Sequence, residues 1–163
     1  MRILTTALIP LFLIVSAKTV LAGEAEITWT DPDKYTDVRS GNENRQRFKD
    51  RIFKGFEKHF AKLTEQLPEG KLLKVNVTNV DLAGDVRFSS MQDVRIVKDI
   101  YIPRFVFSYE LLDADKTVAA SGDVDLKDMG FMTSSSRASG ELYYEKRMLN
   151  KWFKNTFVAD KID

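Results

Sequence analysis

The sequence predicts an α+β domain: a mainly antiparallel sheet of about four to five strands, with two amphipathic helices on one face, forming a two-layer sandwich. Three observations carry that expectation. Apolar residues from Phe48 to Leu67 recur in steps of three and four. Leu73 to Thr78 alternates strictly between apolar and polar residues, and Phe105, Phe107, Tyr109 and Leu111 recur at every second position. A second helical stretch, from about Glu141 to Phe157, again keeps its apolar residues in one stripe. Helical periodicity then alternation then helical periodicity is the order expected when helices pack on an antiparallel sheet.

Residues 1–22 read as a leader and not as part of this fold. Arg2 supplies a positive start, Ile3 to Val15 an apolar run, and Val20-Leu21-Ala22 the small and aliphatic residues that a signal peptidase recognises. Cleavage is expected after Ala22, with Ala25 the alternative. The apolar run falls short of the roughly 20 residues that span a bilayer, and no second such run follows, so no transmembrane segment is expected in the mature chain. One domain, residues 23–163, remains. At about 140 residues it is large enough to bury a core without covalent staples. The chain has no cysteine although export would permit disulfides, which points to a bacterial periplasm.

Within that domain, Ala25 to Thr30 forms a short strand that Asp31-Pro32 stops. Ser40 and Glu43 have the spacing of a capping box and start the first helix, which Pro68 and Gly70 end. Leu73, Val75 and Val77 then face a core while Lys74, Asn76 and Thr78 face water. Asp81 to Asp85 closes this strand, and Val94 to Ile102 is expected to form another. Phe105 to Leu111 and Thr117 to Leu126 form a hairpin about the turn Asp113-Ala114-Asp115-Lys116. Ser134-Ser135-Ser136 lies in a polar loop before the last helix, which buries Leu142, Leu149, Phe153 and Phe157.

Little of this carries recognisable chemistry. A zinc, iron or copper site needs several His or Cys ligands, and the single histidine, His59, lies at the margin of the first helix's apolar stripe. No metal and no cofactor is expected. Asp113, Asp115, Asp123, Asp125 and Asp128 do not follow the spacing of a calcium-binding loop. The serine run has no nucleophile elbow and no histidine nearby in sequence. A pair of carboxylates drawn from Asp31, Asp37, Asp81, Asp85 and Glu110 would suffice for hydrolysis if the fold brought two together.

Charge is more informative. The chain has 25 basic and 24 acidic residues. Losing residues 1–22 removes Arg2 and Lys18 and no acid, so nucleic acid is not an expected partner. On the first helix, however, Arg47, Arg51, Lys54, Lys58 and Lys62 fall in one stripe opposite the apolar face at about 100° per residue. Arg147, Lys151 and Lys154 lie on the outside of the last helix. A solvated helix back explains the pattern, and so does a plateau that docks an anionic envelope component or a protein partner.

Four segments together resemble the domain of unknown function 3016 family of secreted Gram-negative proteins. They are Asp31-Pro32-Asp33-Lys34-Tyr35-Thr36-Asp37, Val80-Asp81-Leu82-Ala83-Gly84, Pro103-Arg104, and the run from Tyr144 to Phe153. The resemblance implies export, a single domain and bacterial origin, and assigns no functional residue. The segments also have structural explanations: Asp31-Pro32 sets a turn, Gly84 adopts a conformation other residues resist, and Asp81 and Arg104, at strand ends, form an ion pair. Tyr35, Asp37, Asp81, Asp85 and Arg104 are the residues expected at any binding site. The functional expectation is a periplasmic binding or accessory protein working through a surface. The alternatives are a small carboxylate-dependent hydrolase and an envelope subunit that self-associates through a free sheet edge.

Overall fold

The computed structural model describes residues 23–88, 91–133 and 139–159. The leader with its cleavage site and the Ser134–Ser136 loop lie outside the described residues. The fold is α+β. Strands β1 (Glu24–Trp29), β2 (Leu72–Asp81), β5 (Arg104–Leu112) and β6 (Val118–Lys127) form one sheet in the order β1-β2-β5-β6. Strands β3 (Asp85–Arg87) and β4 (Val94–Ile96) form a separate two-stranded sheet. The helices are α1 (Arg45–Thr64) and α2 (Tyr143–Phe153), the latter continued by a π-helical turn, Lys154–Val158.

The β5–β6 hairpin forms where alternation predicts it, about a turn at Asp113–Lys116 that Asp115 fastens to Thr117. Elsewhere the structure adds to the expectation or departs from it. β1 pairs with β2 in parallel, Glu24 opposite Leu72 and Trp29 opposite Val77. The helix between them is a crossover, and a crossover returns the chain in the same direction. The stretch expected as one strand from Val94 to Ile102 pairs only over three residues before a turn at Lys98–Tyr101. The first helix starts later than the capping box suggests: Asn44 caps it, its side chain accepting from Arg47 N at 3.1 Å. Gly41, at φ +59°, turns the chain out of helical geometry after Ser40, and Glu43 instead meets Arg51.

The core is aromatic. Phe105 and Phe107, two residues apart on β5 and so on the same face, reach both helices. Phe105 lies 5.0 Å from Phe56 of α1, and Phe107 4.8 Å from Trp152 of α2. Trp29 stacks on Phe53 at 4.3 Å, closing the β1 side. Opposite Tyr109, β6 carries Gly122, where a Cβ would stand 3.2 Å from the tyrosine ring, so the ring covers the glycine. Leu73, Val75, Val77 and Val80 of β2 are buried in the same core.

That last set contains the fold's most consequential irregularity. Strict alternation from Leu73 would put residues 79 and 81 in the core. A bulge at Thr78, where the register to β5 shifts between Val77 and Asn79, reverses the parity. Val80 is buried instead, and Asp81 is carried to the outer face beside Arg104.

Candidate functional site

The bulge places Asp81 at the end of β2, and a second segment of chain is laid against that end. After Trp29 the backbone leaves β2, makes a 3-10 turn over Pro32–Lys34 with Asp31 in the left-handed region (φ 50°), and rejoins at Asp37. Tyr35 anchors the return by donating its hydroxyl to Val77 O at 2.8 Å. Burial, reinforced by the Asp31 carboxylate, pushes that hydroxyl up to about 12, so it remains a donor. Thr36 N donates to Asn79 Oδ1 at 2.8 Å, Asp37 N to Val80 O, and Leu82 N back to Asp37 O.

Asp37 is 5% exposed and held by two guanidinium groups. Arg95 takes it with both terminal nitrogens, at 2.9 and 3.2 Å, and Arg39 Nε lies 3.1 Å from Oδ1. Arg39 also reaches Asp85, which Arg87 Nε holds from the other side at 2.9 Å. Such forked, charge-assisted contacts fix both partners. Gly84 is needed where the hairpin closes on this network. Its φ is +87°, a Cβ would stand 2.7 Å from Ile96 O, and its carbonyl accepts from Arg95.

Between these groups lies a cavity of about 380 Å³, lined by Asp37, Arg39, Asp81, Asp85, Tyr101, Arg104 and Lys127 among others. Four of the five expected residues therefore share one site. Tyr35 does not line it and faces a neighbouring cavity. The expected Asp81–Arg104 ion pair is not formed. The two are cross-strand partners, but Arg104 turns to Asp125 on β6, whose two oxygens match its fork at 2.8 Å each. Asp81 is left half-buried, with no hydrogen bond or ion pair from its carboxylate among the described residues. Burial, and next the nearby Asp37 charge, hold its carboxyl above the usual range, with Arg95, Arg104 and Arg39 acting in the opposite sense.

The last resemblance segment approaches from below. Glu145 of α2, buried, accepts from Ala83 N at 2.7 Å. All four segments thus meet at one end of the sheet. Arg39, Arg87, Arg95 and Glu145 were not anticipated as parts of it. The first three lie in irregular chain or three-residue strands, where no periodic signal marks them, and Glu145 shares its helix with the apolar stripe.

The basic stripe of α1 is exposed throughout. Arg51 is engaged, meeting Glu43 and Glu141 and lying over the Phe48 ring. The side chains of Arg47, Lys54, Lys58 and Lys62 make no ion pair among the described residues. Lys151 of α2 and Lys154 of the π-helical turn are exposed, and Arg147 is not free: it holds Asp128 at 2.7 Å and Phe131 O at 2.9 Å. His59 lies between the helices, its Nε2 3.2 Å from Lys146 O, and burial lowers its proton affinity.

Among the described residues no group of three or more His, Asp or Glu side chains is placed to hold a metal ion. No helix there is long and apolar enough to cross a membrane. No curated protein matches the chain. A family model described as a protein of unknown function (DUF3016) matches residues 23–155, and its span takes in every residue lining the cavity at the end of the sheet. The four segments that suggested a resemblance lie within that match, and the chain belongs to the DUF3016 family.

Proposed function

We propose that this protein acts by binding, in the periplasm and without a cofactor, and that the cavity at the end of the sheet receives its ligand. The observation that carries this reading is the state of the three carboxylates. Asp37 and Asp85 are each committed to guanidinium groups, and Asp81 alone faces the cavity with its acceptor capacity unused. A half-buried carboxylate without a donor is costly unless something supplies one. A ligand bearing an amine or clustered hydroxyls would do so, with the Tyr101 ring and Ile100 beside it. Carboxylate-pair hydrolysis asks instead for two acids free to exchange protons, and the arginines leave one. The reading also takes the architecture to be a two-layer sandwich, both helices on one side of the sheet, which leaves this end of the sheet open to solvent. The leader-like pattern of residues 1–22 and the absence of cysteine support the compartment.

A native mass spectrum of the protein purified gently from a bacterial periplasm tests the proposal. Relative to residues 23–163, an excess mass lost on denaturation is expected in the natural protein and absent from Asp81→Asn. A bare protein in both cases would remove the cavity from consideration.

A further inference from the structure

A second cavity, of about 600 Å³, opens between residues 32–45 and the β3–β4 hairpin. Its volume is in the range of small-molecule sites, and its walls differ in character. On one wall Lys49 is 6% exposed. Lysine is almost never buried without a committed partner, yet the partner here is Asp33, whose side chain is 76% exposed on the Pro32–Lys34 turn. Arg45 draws on the same carboxylate at 3.3 Å. Two cations sharing one acid leave this wall with positive charge to spare. The acid at the far rim, Asp93, sits beside Gly41, and Arg39 is committed to Asp37 and Asp85.

The opposite wall is apolar. Val38 is buried and Val86 half-buried, and Phe88 lines the cavity while remaining 89% exposed. A phenylalanine ring bordering a cavity and this exposed is surface that a ligand gains by covering.

We infer that this cavity binds an amphipathic anion, an alkyl chain with a carboxylate or phosphate head. The head lies against Lys49 and Arg45, and the chain runs over Val38, Val86 and Phe88. Asp33, on its exposed turn, yields its place on Lys49 to the head while staying in water. The site is separate from the cavity that holds Asp81, although Thr36 and Arg39 border both.

Dodecanoate, dodecyl phosphate and dodecyltrimethylammonium, each kept below its micellar concentration, are the probes, titrated into the purified protein by calorimetry and amide NMR. At least one anion is expected to bind saturably at one site, with the cation about tenfold weaker or more. Binding of both anions, or of either alone, supports the class and tells whether a fatty acid or a phosphate-headed amphiphile is the source. Phe88→Ser, an exposed substitution that leaves the core intact, should weaken anion binding about tenfold, and Lys49→Met at least as much. Equal binding of the cation, wild-type affinity in Phe88→Ser, no saturable binding, or shifts at Asp81 and Arg104 instead of Val38 and Val86 would each overturn the inference.

Discussion

At the scale of single residues, Glu145 is the clearest case of a side chain whose charge and hydrogen bond pull in opposite directions. Its Oε1 accepts from Ala83 N, and burial holds its carboxyl above the usual range, opposed by that bond and by the Arg95 charge. A carboxyl raised on folding favours the protonated form in the native state. Its cost to stability is therefore full above the folded value and relieved as pH falls toward the unfolded one. Glu145→Gln keeps an acceptor for Ala83 N and removes the charge. Thermal melting at neutral pH should show Tm higher by about 2–4 °C, a gap that closes on acidification. Glu145→Ala removes the acceptor as well and strands a buried amide, a loss of about 1–3 kcal/mol. If Glu145→Gln melted below the natural protein at neutral pH, the ionised form would be the stabilising one.

Among the elements, α1 combines what the sequence made plain with what it hid. Its apolar stripe and its basic stripe both stand where periodicity places them, because an amphipathic helix is a local property. Its start does not, because choosing between Ser40 and Asn44 as cap depends on the left-handed turn at Gly41. The same contrast runs through the sheet. β5 and β6 are legible from alternation, whereas the bulge at Thr78 is a one-residue event that alternation cannot reveal, and it decides that Asp81 faces outward. The candidate site was legible in part: Asp37, Asp81, Asp85 and Arg104 lie at element ends, where motifs and turns point. The arginines that neutralise Asp37 and Asp85 come from distant stretches and needed the fold to bring them in. For α1 itself, Arg47, Lys54, Lys58 and Lys62, without an ion pair among the described residues, predict an ionic interaction with anionic surfaces. Lys54→Glu with Lys58→Glu should abolish sedimentation with vesicles rich in anionic lipid at low salt. In the natural protein that binding should fade by physiological ionic strength, where screening extends over about 8 Å. Sedimentation unchanged by the reversals would assign the stripe to solvation alone.

Over the whole molecule, charge is segregated more than its near-neutral total suggests. The open face of the sheet carries Glu26, Glu110 and Asp123 around Lys74, while the outward side of α1 is cationic. Such a molecule presents two unlike surfaces to its surroundings, and orientation in the electric field near a charged surface follows from that without any net charge. Next to the two-stranded β3–β4 sheet, Phe88 after β3 and Met91 before β4 are both exposed.

The parallel pairing of β1 with β2 has a bearing on how the chain reaches this state. Synthesis delivers β1 first, yet its partner Leu72–Val77 follows more than a helix later, and β2 is itself sandwiched between β1 and β5. β5 and β6, joined by a tight turn, can pair as soon as they emerge, whereas β1 must wait for a long loop to close. The first strand made is thus the last one seated, and in the interval its edge is open to wrong partners. Trp29 gives this delay a readout, since its stacking on Phe53 forms only when β1 docks. With Trp152→Phe leaving Trp29 as the sole tryptophan, refolding should show its fluorescence changing after the bulk of the far-ultraviolet signal, and simultaneous changes would mean that β1 belongs to the nucleus.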